Sequence, residues 1–354
     1  MLEAAKHFQT RGVPVSSERY GNGHINVTYL VITDENVWYI LQKINNQVFK
    51  DVPRLMQNIA GVTRYLAEKD PDPRHVLTIV KTKDGEDYHQ DQEGYWRMYV
   101  FVTDSLCLDR AETADDFYQS AVAFGTFQNQ LASYPAASLH ETIPNFHNTP
   151  VRYEHLKSAI KNDMKGRAHT VQEEIAFALA REKDAGIMTG LQAAGLLPLR
   201  VTHNDTKLNN VMLDLATRKP LCVIDLDTVM PGLAGNDFGD SIRFGASTAA
   251  EDEKDLEKVS MSLELFEAYA RGFLGACREN LQEEEIRTLP MGAKLMTLEC
   301  GVRFLTDYLS GDTYFHTKYP EHNLDRCRTQ FKLVADMEAK WQKMEEIIAK
   351  EAGR

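Results

Sequence analysis

The sequence predicts an α+β fold, in which a small antiparallel-sheet lobe precedes a larger, mostly helical lobe. Two observations lead to this prediction. Segments rich in β-branched and aromatic residues, separated by turn residues, dominate from about residue 15 to residue 102. After residue 104, apolar residues recur mostly at helical spacing. We therefore expect an N-terminal lobe over residues 1–103 and a C-terminal lobe over residues 104–354.

The first lobe is predicted to contain two strands, a helix and three further strands. NVTYLVI and VWYILQKI flank the turn TDEN, and HVLTIVKT and GYWRMYVFV come after the helix. Leu55, Ile59, Val62 and Leu66 recur at helical spacing. They predict a helix over roughly residues 53–68.

The second lobe is predicted to be helical except for one strand pair. Thr113-Ala-Asp-Asp116 is a typical helix-capping sequence, and apolar residues at helical intervals follow it from Phe117 to Leu131. Further helical patterns cover residues 151–164, 171–194, 260–273, 291–309 and 325–349, and the strand pair covers residues 210–213 and 221–224.

The composition excludes several classes of partner. The chain has 40 Lys and Arg against 52 Asp and Glu, a formal net charge of −12, which argues against nucleic-acid binding but not against a small phosphate ligand. It contains no apolar run of membrane-spanning length and no secretory signal, and its five scattered cysteines form no CxxC pair. We expect a cytoplasmic protein, either a monomer or a homodimer, that binds neither nucleic acid nor membrane.

The segment VTHNDTKLNN, residues 201–210, precedes the strand pair and is the strongest functional signal. Its His203, Asp205 and Asn210 match the spacing H-x-D-x-x-x-x-N of the kinase catalytic loop. Asp205 can accept a proton from a hydroxyl, Asn210 can offer a neutral oxygen to Mg2+, and Lys207 can offer a cation to a phosphoryl group. The spacing predicts phosphoryl transfer, and the alternative is a hydrogen-bonded turn between two strands.

A carboxylate follows the second strand of the pair. The apolar segment Leu221–Ile224 ends at Asp225, and alternation places Asp227 on the same face. A carboxylate at the end of a strand, together with an Asn and another Asp, predicts a magnesium site. Asp225 is the predicted ligand, and Asp227 is either a second ligand or a solvated loop residue.

The sequence Asp237-Phe-Gly239 spells the kinase metal motif but stands in a different context. It follows the Gly/Pro-rich segment MPGLAGN instead of an apolar strand. We therefore predict that Asp237 and Asp240 cap a helix or brace the catalytic loop.

Two features of the first lobe bear on nucleotide binding. YGNGHINVTYLV places Gly21 and Gly23 ahead of a strand, where main-chain N–H groups can approach phosphate, although a hairpin turn explains these glycines equally well. In YILQKI, alternation allows either Gln42 or Lys43, but not both, to face the nucleotide. The helix over residues 53–68 has no central Glu, so the usual kinase Lys–Glu pair is predicted to be absent or replaced by amides.

Four longer segments carry a family resemblance. THNDTKLNNVMLD, CVIDLDTVMPGL, DFGDSIR and RFLTDYLSGDTYFHTKYPEHNLDR resemble the aminoglycoside phosphotransferase and choline kinase-like family, which has a protein-kinase-like two-lobe fold. The resemblance covers nearly the whole chain. Within that family the segments look most like N-acetylhexosamine 1-kinases, and the last two are the most specific.

The resemblance implies ATP- and Mg2+-dependent phosphorylation of the anomeric hydroxyl of N-acetylglucosamine or N-acetylgalactosamine. It implies Asp205 as the base, with Lys207 stabilising the transferred phosphoryl group and His203 fixing the loop. Asn210 and Asp225 would hold Mg2+. The other candidates are Gly21, Gly23, Lys43, Phe101, Val102 and Thr103 for the nucleotide and Arg303, Asp307, Tyr314 and His24 for the sugar, with Asn26 and residues 146–148 as weaker ones.

Several alternatives stay open from the sequence. Arg303 and Asp307 lie four residues apart on a predicted helix, so they can pair with each other instead of binding a ligand. The acceptor can be another small alcohol or amine, such as an aminoglycoside, choline or homoserine, and an acidic chain would suit a cationic one. A non-catalytic nucleotide-binding module would fit the unusual Gln42, but the catalytic-loop residues and Asp225 are all present.

Overall fold

The computed structural model describes residues 1–21 and 25–353. In chain order its strands are β1 (Pro14–Arg19), β2 (Val27–Thr33), β3 (Trp38–Ile44), β4 (Ile79–Val80), β5 (His89–Asp91), β6 (Gly94–Val100), β7 (Ser105–Leu106), β8 (Arg200–Thr202), β9 (Val211–Asp214), β10 (Pro220–Val223) and β11 (Met230–Gly232). Its α-helices are α1 (Leu2–Ala5), α2 (Val52–Lys69), α3 (Ala114–Gln130), α4 (Thr149–Asn162), α5 (Gln172–Leu179), α6 (Glu182–Ala185), α7 (Ile187–Ala193), α8 (Ala234–Gly245), α9 (Leu263–Cys277), α10 (Glu283–Arg287), α11 (Leu289–Ser310), α12 (His322–Ala339) and α13 (Trp341–Glu351).

The chain forms two compact units, which confirm the predicted α+β class with an antiparallel-sheet region before a helical one. The first unit comprises Met1–Cys107, Ser133–Pro144 and Val211–Pro231, and the second comprises Leu108–Ala132, Asn145–Asn210 and the chain from Gly232 onward. The division into lobes at residues 103 and 104 stays a prediction.

The first unit is built on an antiparallel sheet whose described strands run in the order β1-β2-β3-β6-β4, with β5 beside β6. Leu41, Trp96 and Met98 share one face of this sheet and form a buried core with Phe8. The other face carries Gln42 directly opposite Arg97. The predicted strand HVLTIVKT is shorter than expected, because only two of its residues pair with β6.

A smaller sheet in the first unit has the order β10-β9-β7. β9 and β10 are the predicted strand pair, and they are antiparallel. The chain leaves β10 at Val223, two residues before Asp225.

The second unit confirms most of the predicted helices. α3 begins with a full capping box, in which Thr113 and Asp116 satisfy each other's main-chain N–H groups. The pattern over residues 171–194 forms three short helices, with junctions at Arg181 and at Gly186. The second junction falls at a residue type that disfavours a helix interior. The last pattern breaks at Lys340, whose ammonium group donates to Ser260, Asp336 and the main chain.

Two helices of the second unit, α8 and α11, cross in direct main-chain contact. A Cβ atom on Gly239 would lie 2.3 Å from the carbonyl oxygen of Gly292, and one on Gly292 would lie 2.1 Å from that of Gly235. Only Gly permits so close an approach. The glycine of the DFG sequence therefore serves helix packing, which fixes α8 and its carboxylates against α11.

Candidate active site

The segment 203–206 is held by side chains of α8. The Asp237 carboxylate accepts the main-chain N–H groups of His203 and Asn204 at 2.8 and 2.7 Å, and the Asp240 carboxylate accepts that of Thr206 at 3.1 Å. Asn204 adopts a φ of 64°, a left-handed conformation that Asn tolerates better than most residues. The predicted bracing of the loop by Asp237 and Asp240 is therefore confirmed.

Asp205 lies between two of the predicted partners. Its Oδ1 is 2.8 Å from Nζ of Lys207, and its Oδ2 accepts a hydrogen bond from Nδ2 of Asn210 at 3.2 Å. The Asp205 side chain is 27% exposed, so a substrate hydroxyl has access to it. Burial disfavours the charged form of Lys207, but the carboxylates of Asp205 and Asp240 outweigh it and raise the pKa of Lys207. The loop thus presents a carboxylate beside an ammonium group, an arrangement that can serve phosphoryl transfer.

His203 is fully buried beneath this loop. Its ring packs edge-on against Phe124 and Phe127, and its Nδ1 accepts the main-chain N–H of Asp205 at 3.3 Å. These contacts suit a residue that fixes the loop.

Asn210 has a geometry that fits a metal ligand. Its Nδ2 donates to both the main-chain oxygen and Oδ2 of Asp205, and its Oδ1 accepts no hydrogen bond from any described residue. A neutral amide oxygen left without a donor is a suitable ligand for Mg2+. Among the described residues, no group of three or more His, Cys, Asp or Glu is arranged as a metal site.

Asp225 and Asp227, both in the first unit, differ sharply in their exposure. Asp225 is exposed and adopts a φ of 58°, a left-handed conformation that Asp, like Asn, tolerates better than most residues. Asp227 is buried, and its two oxygens accept hydrogen bonds from Arg97 and Asn26. The alternative of a solvated Asp227 is therefore wrong, and the metal role of Asp225 stays a prediction.

The two residues of the YILQKI strand face opposite ways. Gln42 bonds to Arg97 on the face that Asp227 contacts, whereas the Lys43 ammonium group lies over the Trp96 ring, 5.5 Å from its centroid, on the other face. The nucleotide contact of Lys43 stays a prediction. In α2, the Asn58 amide bonds to the main chain of His140 and Val229. The replacement of the kinase Lys–Glu pair by amides stays a prediction.

The remaining nucleotide candidates lie in main-chain segments. The N–H of Phe101 donates to Trp38, and the carbonyl of Val102 accepts from Ser105, but no described residue accepts from the N–H of Val102. The carbonyl of Thr103 accepts from Arg74. Gly21 has a φ of 70°, and the candidates Gly23 and His24 lie outside the described residues.

The three described sugar candidates have different surroundings. Asp307 is buried and accepts from the main-chain N–H groups of residues 313–315 and from Asn323, so it shapes the loop that carries Tyr314. Arg303 forms no ion pair with Asp307 or with any other described carboxylate; its guanidinium lies 5.4–5.8 Å from the rings of Phe146, Tyr314 and Phe315. The alternative of an Arg303–Asp307 pair is therefore wrong.

An ion pair that no sequence pattern indicated joins this region to the catalytic loop. The His147 ring is 3.1 Å from Glu299 through Nδ1 and 3.2 Å from the carbonyl oxygen of Asn204 through Nε2. Burial opposes the charge on His147, but the hydrogen bond and the charge of Glu299 outweigh it and raise its pKa. A Glu in the otherwise apolar sequence LMTLECGV was the available signal.

The phosphotransferase enzyme family, APH, has a model that matches residues 16–274. The chain belongs to this family. As an APH-family protein it is a small-molecule phosphotransferase. No helix of the described residues is long and apolar enough to cross a membrane.

Several solved structures share the fold of this chain over nearly its whole length. A microcompartment-associated aminopropanol kinase is 17% identical with a TM-score of 0.61, covering 97% of each chain. An aminoglycoside phosphotransferase from Alicyclobacillus acidocaldarius is 12% identical with a TM-score of 0.65, covering 98% of this chain and 96% of its own. An amicoumacin kinase in complex with AMP-PNP and Ca2+ is 14% identical with a TM-score of 0.60, covering 94% and 92%. These likenesses establish the fold alone.

Proposed function

We propose that this phosphotransferase uses ATP and Mg2+ to phosphorylate the anomeric hydroxyl of N-acetylhexosamines. Asp205 accepts the proton of that hydroxyl, and Lys207 offsets negative charge on the phosphoryl group during transfer. Asn210 and Asp225 hold Mg2+, which neutralises charge on the nucleotide phosphates when bound. The contacts of Asp205 with Lys207 and Asn210 support these assignments.

The observation that carries the choice of acceptor is an arginine pair among aromatic rings in the second unit. Burial and the nearby charge of Arg303 lower the pKa of Arg152. Arg152 donates to the main-chain oxygen of Phe146 at 2.6 Å, while its Nε is buried without a hydrogen-bond partner. The His147 contact to Asn204 joins this cluster to the Asp205 loop.

Two guanidinium groups repel a cationic acceptor such as choline or an aminoglycoside. They suit a neutral or anionic acceptor whose hydroxyl and carbonyl oxygens can accept hydrogen bonds. Exposed aromatic rings such as Tyr314 offer an apolar surface for a sugar ring or an acetyl group. An N-acetylhexosamine combines these properties.

The nucleotide is assigned to the first unit. Gly21 and Gly23 are proposed phosphate contacts, and residues 101–103 are the proposed adenine contacts, with the N–H of Val102 as donor. His24 and Tyr314 are proposed to contact the sugar.

A panel of acceptors tests this proposal. ATP turnover is measured with N-acetylglucosamine, N-acetylgalactosamine, choline, ethanolamine and kanamycin. We expect turnover with the two neutral sugars, loss of turnover in Asp205→Asn, and a KM for sugar that rises at least tenfold in Arg303→Gln while the KM for ATP is unchanged. Turnover with the cationic acceptors alone would refute the acceptor assignment.

A further inference from the structure

Asp227 is the second carboxylate after β10, and it is fully engaged inside the first unit. Its Oδ1 accepts from Arg97 and its Oδ2 accepts from Asn26, and its side chain is only 5% exposed. Because both of its oxygens accept hydrogen bonds from other segments, Asp227 holds its own chain segment in place. The exposed Asp225 stands two residues before it in the same segment.

Arg97 ties this segment to the middle of the large sheet. It is 1% exposed on β6, and its Nε donates to Oε1 of Gln42 on β3 at 2.9 Å. Gln42 in turn donates to Thr28 on β2 at 3.0 Å. A chain of hydrogen bonds across three strands therefore fixes the direction of the guanidinium group that holds Asp227.

Asn26 and Asn58 hold the same segment from two other directions. Asn26 lies directly before β2, and its Oδ1 accepts the main-chain N–H of Asn45 at 2.9 Å while its Nδ2 donates to Asp227. Asn58, from α2, donates to the carbonyl oxygen of Val229 at 3.0 Å. Hydrogen bonds from buried donors thus anchor the segment from Asp225 to Val229 at Asp227 and Val229. Asp225 lies at the exposed end of this segment.

We propose that Arg97, Asp227 and Asn26 form a clamp that positions Asp225 for the metal–nucleotide complex. These three are positioning residues, since they act through Asp225. Residues that orient a metal ligand usually change metal affinity or activity about 10–100-fold when they are replaced. The inference rests on the proposed metal role of Asp225.

The test measures metal binding without an acceptor. Mn2+ binding to the full chain in the presence of AMP-PNP is titrated by electron paramagnetic resonance for the wild type, Asp227→Asn and Arg97→Lys. We expect both variants to weaken Mn2+ binding roughly 10–100-fold. The exposed Arg11–Glu35 pair of the same unit, 2.8 Å apart, gives matched controls: Glu35→Gln and Arg11→Lys are expected to bind Mn2+ like the wild type.

The pair of variants separates positioning from direct ligation. If Asp227 were itself a metal ligand, Arg97→Lys would leave Mn2+ binding unchanged or strengthen it, because a competing partner has been weakened. That result would overturn the proposal. Because Asp227→Asn leaves a buried cation unpaired and can unfold the chain, thermal unfolding is followed in parallel, and Arg97→Met/Asp227→Asn removes both charges together. Wild-type Mn2+ affinity in the folded double variant would also overturn it.

The outcome is independent of the acceptor. A failed acceptor panel with these Mn2+ results would refute the sugar and leave the clamp standing. A wild-type chain that binds no Mn2+ with AMP-PNP would refute both the clamp and the role of Asp225, and it would leave Asp205 as the base.

Discussion

At the scale of single residues, the pair of His147 and Glu299 connects Arg303 and Arg152 to the catalytic loop. The two side chains are only 10% and 2% exposed, and Glu299 also accepts from Thr149 at 2.8 Å. Burial opposes the charge on Glu299, but His147, Arg303 and Arg152 outweigh it and lower its pKa. Each member of the pair therefore stabilises the charge on the other.

This pair makes stability depend on pH. Glu299 contributes fully above its ordinary pKa of 4.5 and loses its contribution as the pH falls through its lowered value. His147 contributes fully below its ordinary pKa of 6.5 and loses its contribution as the pH rises through its raised value. The stabilisation should therefore be greatest between these two ordinary values.

Urea unfolding of Glu299→Gln across this pH range measures the effect. We expect a loss of about 3–5 kcal/mol in the free energy of unfolding near pH 5.5, shrinking as the pH rises above 7. Glu174→Gln is the control, since Glu174 pairs with Arg328 at 2.6 Å and Arg does not titrate there. An equal loss for Glu299→Gln at all pH values would contradict a charged His147.

At the scale of elements, the crossing of α8 and α11 positions two sets of candidate site residues. α8 carries Asp237 and Asp240, which hold the catalytic loop, and α11 carries Glu299 and Arg303. The crossing permits no side chain at Gly292.

Gly292→Ala should separate the two helices. A Cβ atom there would lie 2.1 Å from the carbonyl oxygen of Gly235, so the main chain must shift. We expect a loss of about 1–3 kcal/mol in the free energy of unfolding and a lower kcat, since the brace on the catalytic loop moves. Gly275→Ala on α9, where a Cβ meets no atom within 4 Å, should leave kcat unchanged and stabilise by up to about 1 kcal/mol. Equal effects of the two substitutions on kcat would contradict the account.

Patterns of neighbouring residues in the sequence predicted the secondary structure and the residues of the catalytic loop. The helix over residues 53–68, the capping sequence at Thr113 and the strand pair around residues 210–224 follow from periodicity and turn chemistry, and the structure contains them. The loop residues Asp205, Lys207 and Asn210 could be found because they lie close together in sequence.

Long-range pairing could not be predicted in this way. Arg97 and Asp227 are 130 residues apart, and His147 and Glu299 are 152 apart, so no spacing links the partners. Charged residues inside the apolar sequences GYWRMYV and LMTLECGV were the signals present, but they did not identify a partner. The packing role of the glycine in DFG could not be predicted from the sequence, because the α8–α11 crossing that requires it is a tertiary contact.

At the scale of the whole molecule, binding of nucleotide should stabilise the chain in a way that separates the two proposed carboxylate roles. A ligand at 100 times its Kd adds about 2.7 kcal/mol to the free energy of unfolding. We expect AMP-PNP with Mg2+ to raise the Tm of the wild type and of Asp205→Asn, since Asp205 acts on the acceptor. In Asp225→Asn the rise should be largely lost. A Tm rise lost in Asp205→Asn and kept in Asp225→Asn would reverse the two assignments.

The transfer of phosphate to the anomeric hydroxyl is the central claim, and phosphorus NMR tests it most directly. The full chain is incubated with ATP, Mg2+ and N-acetylglucosamine or N-acetylgalactosamine, beside Asp205→Asn. We expect a new phosphate ester signal coupled to the anomeric proton of the sugar, absent in the variant. A phosphate ester formed on another hydroxyl, or ATP consumed with no sugar phosphate formed, would contradict it.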